Sequence, residues 1–174
     1  SNSTTDHDSD GCLDEQQDVF SFDLLTPSFH SQRLSDGGVA FVGDLTSNFT
    51  IGTLELNTTS DQNSVFVVKM GVDGDWAWAY SFHQDISDGD ETMTVDDVEM
   101  SDDGGVYVAI LFSGEFTIDG YWINGWDTSD IGDNDIALIK VNGSGLLEWG
   151  AVLGSDGTES VDRMILGQDG QINV

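Results

Sequence analysis

Positive charge is the scarcest thing in this chain, which carries four Lys and Arg against 33 Asp and Glu for a formal net charge of -29. A surface of that sign repels polyanions, so nucleic acid is excluded as a natural partner and anionic membrane surfaces are disfavoured. A cation-rich surrounding is favoured instead, such as salt water or bound divalent ions, because salt screens the self-repulsion over about 10 Å or less. There is a single cysteine, Cys12, which cannot close an internal disulfide. No apolar run reaches the roughly eighteen residues of a membrane span, and no apolar stretch opens the chain, so any signal peptide is expected to have been removed. The three histidines, His7, His30 and His83, are scattered without a zinc-ligand spacing. Gly-x-Ser-x-Gly is absent, and Asn142-Gly143-Ser144-Gly145 reads as a turn. Nothing here points to an enzyme. Pairs of carboxylates suited to glycoside hydrolysis can always be picked from 33 acids, so they carry no information.

What is present is a fold-forming content, 38% hydrophobic with five Trp and nine Phe, too rich for a disordered acidic tail. It is arranged as a repeat. Gly37-Gly38-Val39 returns as Gly104-Gly105-Val106, and Phe49-Thr50-Ile51 as Phe116-Thr117-Ile118, both 67 residues later. Val65-Phe66-Val67-Val68-Lys69 with Gly74 and Trp78 returns as Ile136-Ala137-Leu138-Ile139-Lys140 with Gly145 and Trp149, now 71 later. The extra four residues lie after Asn57 and Asn124, where seven residues precede the next strand in one copy and eleven in the other. A third copy opens at an offset of 66, with Val161-Asp162 for Val95-Asp96 and Asp169-Gly170 for Asp103-Gly104, and stops at Val174. Strands held and loops varied are the mark of a repeat architecture.

Each repeat predicts four strands: Gly38–Val42, Phe49–Leu56, Ser64–Met70 and Trp76–Phe82, then Gly105–Phe112, Glu115–Ile123, Asp135–Val141 and Leu146–Leu153. β-Branched and aromatic residues fill these runs, Asp-Gly and Gly-Gly pairs separate them, and no helical period of useful length occurs. The expected fold is all-β, of antiparallel four-stranded units. The organisation predicted is an acidic leader over 1–18, a short strand (Val19–Phe22) and connecting segment over 19–33 broken by Pro27, repeats over 34–100 and 101–166, and the start of a third over 167–174.

The ordered phrase of Gly-Gly-Val, Phe-Thr-Ile, an apolar strand ending in Lys, and Gly-x-x-x-Trp resembles the repeats of seven-bladed β-propellers in secreted bacterial and archaeal surface proteins. The resemblance covers about Leu34 to Val174. It implies a β-propeller-like fold of about two and a half blades, open or part of a larger assembly, since closed propellers hold four to eight blades. The repeat length exceeds the roughly 40–50 residues usual for a blade.

Lys69 and Lys140 are half of all the cations and occupy the same place in two repeats. A catalytic lysine has no reason to recur, so both are expected to pair with carboxylates at the turns of each unit. Trp78 and Trp149 recur likewise, as anchors between units. The non-recurring cluster Tyr121-Trp122-Ile123-Asn124-Gly125-Trp126 has two readings. Trp122 and Trp126 would stack on a sugar ring, or form an apolar strand edge packing on a neighbour, the more economical reading.

In the leader, Asp6, Asp8 and Asp10 alternate and are followed by Gly11, with Asp14 and Asp18 beyond. Calcium takes six to eight oxygens, and acids at loop positions 1, 3 and 5 before a glycine deliver them to one centre. Position 12 is Gln17 where an EF-hand needs Glu, so this is no EF-hand. It resembles the calcium-binding aspartate repeats of thrombospondin type 3, whose cysteine usually pairs with that of a neighbouring repeat. The insertion holding Asp127, Asp130, Asp133 and Asp135 is a second candidate calcium loop, with solvated charge the equal alternative, and Asp85, Asp88, Asp90 and Glu91 form a weaker one. Sequons stand at Asn2, Asn48, Asn57 and Asn142, sites for N-glycosylation of a cell-surface protein.

The function expected from these signals is an extracellular, cell-surface structural or adhesive protein of calcium-stabilised repeats, whose partners are further copies or other surface proteins. Two alternatives remain: a filament subunit joined by exchange of Val19–Phe22 into a neighbour's sheet, and a carbohydrate-binding module using Trp122 and Trp126.

Overall fold

The structure, a computed structural model, describes residues 29–58, 62–85, 92–118, 121–124, 134–155, 157 and 159–174. Among them there is no helix, and fourteen strands run in chain order: β1 Phe29–Arg33, β2 Val39–Asp44, β3 Phe49–Ile51, β4 Leu54–Leu56, β5 Gln62–Met70, β6 Trp76–Asp85, β7 Met93–Met100, β8 Val106–Phe112, β9 Glu115–Ile118, β10 Tyr121–Asn124, β11 Asp135–Val141, β12 Leu147–Leu153, β13 Ile165–Leu166 and β14 Ile172–Asn173. The chain is all-β and its sheets are antiparallel.

Two four-stranded meanders form the body, β1-β2-β5-β6 and β7-β8-β11-β12. Their registers are copies of each other. Gln32 pairs Ala40, Ala40 pairs Lys69 and Lys69 pairs Trp78 in the first, while Glu99, Tyr107, Lys140 and Trp149 form the same row in the second. Even the register slip recurs, after Lys69 in one and after Lys140 in the other. The β13–β14 pair repeats the opening of a meander, with Leu166 opposite Ile172 as Met100 is opposite Val106.

This arrangement corrects the strand assignment read from the sequence. The meander opens with β1 and β7, which precede the Gly-Gly turns, whereas the Phe-Thr-Ile segment is not a meander strand at all. In each repeat it leaves the sheet between the second and third strands as an antiparallel pair, β3–β4 or β9–β10. A turn at Gly52 (φ 59°) divides Phe49–Leu56, which the alternation alone reads as one strand.

The apolar runs of β5, β8 and β11 are continuous because both faces of each strand are covered. Val65 and Val67 face a core shared by the two meanders, with Phe82, Val106, Val108, Ile110, Phe112 and Ile139. Phe66 and Val68 face the other way, under Ile51 and Leu56 of β3–β4. On the far side of the second meander, Tyr107, Ala109, Ile136 and Leu138 meet Val161 and Met164 of the third repeat. The layers stack in chain order.

Five tight turns have one construction. The chain reverses between strands with a left-handed glycine, at Gly37, Gly74, Gly104, Gly145 and Gly170, all with φ between 76° and 90°. An Asp just before the glycine accepts the N–H two residues on in four of them, from Asp36 to Gly38 (3.0 Å), Asp73 to Asp75 (3.2 Å), Asp103 to Gly105 (3.0 Å) and Asp169 to Gln171 (3.3 Å). The acid thus stabilises the turn that needs the glycine. In the fifth, Asn142 Oδ1 accepts from Ser144 and Leu146.

Candidate functional site

The recurrent residues converge at the joint between the meanders. Lys69 leaves β5 near the turns, its side chain 6% exposed, and donates to the Asp36 carboxylate of its own unit. It also donates across the joint to the Gly104 carbonyl at 2.8 Å and the Gly143 carbonyl at 3.3 Å. One ammonium with three donors therefore binds three turns in two units. The pairing with a turn carboxylate expected from the recurrence is what the structure has. Lys140 repeats it with Asp103 at 3.2 Å and adds Glu148 at 2.6 Å.

The electrostatics follow. The hydrogen bond from Lys69 holds the Asp36 carboxyl below its ordinary range against some desolvation. Burial pushes Asp103 up, but hydrogen bonds from Ser101, the Gly105 N–H and Lys140 outweigh it, so this carboxyl also lies low. Lys140 is raised, first by Glu148 and then by Asp103, against desolvation.

Trp78 forms the second part of the joint. Its Nε1 donates to the Gly143 carbonyl at 3.0 Å, and its ring lies on Gly145, where an added Cβ would stand 2.6 Å from Cγ. Only a glycine admits the indole there. Further links run between successive repeats: Gln32 to its equivalent Glu99 (3.2 Å), Ser35 to the Ser101 carbonyl (2.9 Å), and the Gly104 N–H to Ser35 (3.0 Å). The third repeat is held by carboxylates of β7, with the Val161 N–H on Asp96 (2.6 Å) and the Met164 N–H on Asp97.

At the opposite end of the same joint, buried Asp44 accepts from Thr94 Oγ1 and the Val95 N–H, each at 3.0 Å. His83 stands between the Ser64 and Ser81 hydroxyls, 2.9 Å from each, and Thr58 extends this chain to Ser64 at 2.8 Å. Where β1, β7 and β13 meet, a groove of about 370 Å³ is lined by Gln32, Asp97, Glu99 and Arg163.

Of the candidate calcium ligands, Asp6, Asp8, Asp10, Asp14, Asp18, Asp127, Asp130 and Asp133 lie outside the described residues, as do the weaker loop's Asp88, Asp90 and Glu91. Asp135 opens β11 as a buried residue with its carboxylate against Gly154. Among the described residues no three His, Cys, Asp or Glu side chains converge as a metal site. Trp126 and the leader sequon at Asn2 also lie outside them, with the strand candidate Val19–Phe22 and Cys12; Trp122 falls on β10. Asn48 and Asn57 are exposed at the base of the β3–β4 hairpin, Asn48 accepting from the Thr58 N–H at 2.9 Å. Asn142 is partly buried and engaged in its turn beneath Trp78's acceptor. No helix among the described residues is long and apolar enough to cross a membrane.

Sequence reasoning identified the lysines and left their carboxylates unnamed. Asp36 and Asp103 were findable, because they recur at 67 beside the same glycines. Asp44 carried no such signal: its equivalent 67 residues on is Leu111. No family model, no curated protein and no solved structure matches the chain.

Proposed function

We propose that this chain is an extracellular, cell-surface structural or adhesive protein built of β-propeller-like repeats, in which each meander is a blade. The observation that carries this reading is the use to which the recurrent residues are put. Lys69, Asp36 and Trp78 join one repeat to the next, and the second repeat carries the same set in the same register. Residues that recur in every unit and join units are what a structural array requires. Four-stranded meanders stacked face to face in chain order support the propeller reading. The charge of -29 supports surroundings rich in cations, and the alternating aspartates of the leader and the acidic insertion make calcium the ion proposed to tie the array together.

Antibodies raised against the chain test the placement on intact cells of the source organism, without permeabilisation. Surface labelling is expected, and labelling confined to lysed cells would refute it.

A further inference from the structure

The two meanders are copies, so a place where they differ in chemistry marks what the second does alone. At the strand ends remote from the glycine turns, Ser64 of β5 stands opposite His83 of β6, and Met93 opens β7 as an apolar core residue. The equivalent residues are Asp135 and Gly154, 71 positions on, and Glu159, 66 on. Two uncharged side chains are replaced by carboxylates and an imidazole by a glycine. Asp135 is 6% exposed and lies against Gly154, where an added Cβ would overlap its Oδ1. Next in the chain, the Ser155 hydroxyl donates to Glu159 Oε1, and the Glu159 N–H donates to the Asn134 carbonyl at 2.9 Å. These contacts hold both carboxylates against the start of β11.

Acceptors outnumber donors at this end. Among the described residues two buried side-chain oxygens accept no hydrogen bond, Glu159 Oε2 and Oε1 of the fully buried Gln84. One string of contacts connects them. Gln84 Nε2 donates to the Ser113 carbonyl, the Thr92 N–H donates to Ser113 Oγ at 2.9 Å, and Thr92 Oγ1 donates to Asn134 Oδ1 at 3.0 Å, beside the carbonyl that Glu159 holds. No Lys or Arg reaches this place. Lys69 and Lys140 are held at the glycine turns, Arg33 stands opposite Val39 beside the first of those turns, and Arg163 lines the groove with Gln32 and Glu99. These four are all the chain has. A buried carboxylate oxygen with neither a donor nor a counter-charge is strongly disfavoured, and a bound cation removes that cost.

We infer that Asp135 and Glu159 bind one calcium ion between them, with Glu159 Oε2 as a ligand. Oxygen ligands select a hard cation, and two carboxylates call for two positive charges. Calcium accepts an irregular set of six to eight oxygens completed by water, whereas magnesium demands a near-ideal octahedron. The site belongs to the second meander alone, since Ser64 and Met93 give the first neither charge. Calcium held there ties the start of β11 to the segment that leads into the third repeat. The inference rests on the calcium reading proposed above and gives the ion a site separate from the aspartates of the leader.

The test uses the whole chain carrying Asp8→Asn and Asp10→Asn, so that the leader does not contribute, and follows heat unfolding in chelator and at saturating calcium. Calcium is expected to raise the midpoint of this parent, because it binds the folded state. Adding Glu159→Gln or Asp135→Asn is expected to abolish that rise and to remove one calcium per chain in calorimetric titration. In chelator Glu159→Gln is expected to melt at or above the parent, since it deletes an uncompensated charge at nearly constant shape. A carboxylate with a purely structural role would instead lose stability in both conditions. A parent midpoint indifferent to calcium, or a rise that survives both substitutions, would overturn the site. Loss of all calcium binding on the leader substitutions alone overturns this site and leaves the leader standing, while a chain with its leader intact that takes up no calcium sinks both.

Discussion

Replacing Lys69 by Met separates the joint from the rest of the fold, because the two side chains have similar length and leave little cavity. What disappears is the set of donors. The Asp36 carboxylate is 46% exposed and finds water, so its share of the loss is about 0–1 kcal/mol. The Gly104 carbonyl, at 2.8 Å, lies in a buried residue and loses a charged donor; leaving such an acceptor unmet costs about 1–3 kcal/mol. The Gly143 carbonyl keeps the Trp78 N–H and contributes less. The sum is about 1–4 kcal/mol for Lys69→Met. Lys140→Met is the control, since Asp103 and Glu148 are 39% and 36% exposed and both reach solvent, which limits the loss to about 1 kcal/mol. Urea denaturation measures both, with the slope showing whether the meanders still unfold together. Equal losses in the two variants, or no loss at Lys69, would refute the idea that the first lysine binds neighbouring units.

Gly145→Ala is expected to cost more than Gly74→Ala. Both force a side chain into a left-handed conformation, about 1–2 kcal/mol, but only at Gly145 does the new methyl displace an indole, and the difference in urea midpoint reads that contact. Asp36 lies low in the folded state, so its stabilisation is fully present above the unfolded pKa of about 3.9 and is lost as pH falls through the folded value. The gap between wild type and Lys69→Met should accordingly narrow below about pH 4. Lys140 has the opposite sign: its raised pKa stabilises below about 10.4 and fades as pH climbs through the folded value, a loss absent from Lys140→Met in alkaline urea titrations. Calorimetric titration with calcium should show binding whose stoichiometry Asp8→Asn with Asp10→Asn reduces, and an unchanged isotherm would remove the leader from the list of sites.

Much of this architecture was legible because it is written twice. A residue repeated at a fixed offset must serve something present in every unit, and only structure is present in every unit. That logic found Lys69 and Lys140 as partners of turn carboxylates and Trp78 as an anchor between units, but gave Trp149 the same place, whereas it is exposed and leans on Tyr107 of its own meander. It failed on β1 and β7. Their residues, Phe29-His30-Ser31-Gln32-Arg33 and Met93 to Met100, share almost no identities across the offset. In β7 the core residues Met93, Val95 and Val98 are thrown out of strict alternation by a register shift between Val95 and Asp97, which hides the period of two that marks the other strands. Asp44, which accepts from Thr94 and Val95, was invisible because Leu111 stands at its place in the second repeat, although Ser160 and Val161 match its two partners in the third copy.

The Phe-Thr-Ile segment shows the limit most sharply, because one local sequence has two tertiary fates. In the second repeat it forms β9, which joins the edge of β6 and extends the first meander into a six-stranded sheet. In the first repeat the same phrase forms β3, which packs with β4 over Phe66 and Val68 of its own unit. A short strand pair is marginal alone and takes its place from whatever surface is offered. For β9 that surface is the edge of β6. For β3 it is the face of its own meander, where the pair keeps Phe66 and Val68 from water. Burying a Phe and a Val is worth about 3–6 kcal/mol in total, enough to hold the hairpin down until a competing edge is supplied. The local phrase therefore encodes a strand pair and leaves its partner to be decided by the neighbouring unit.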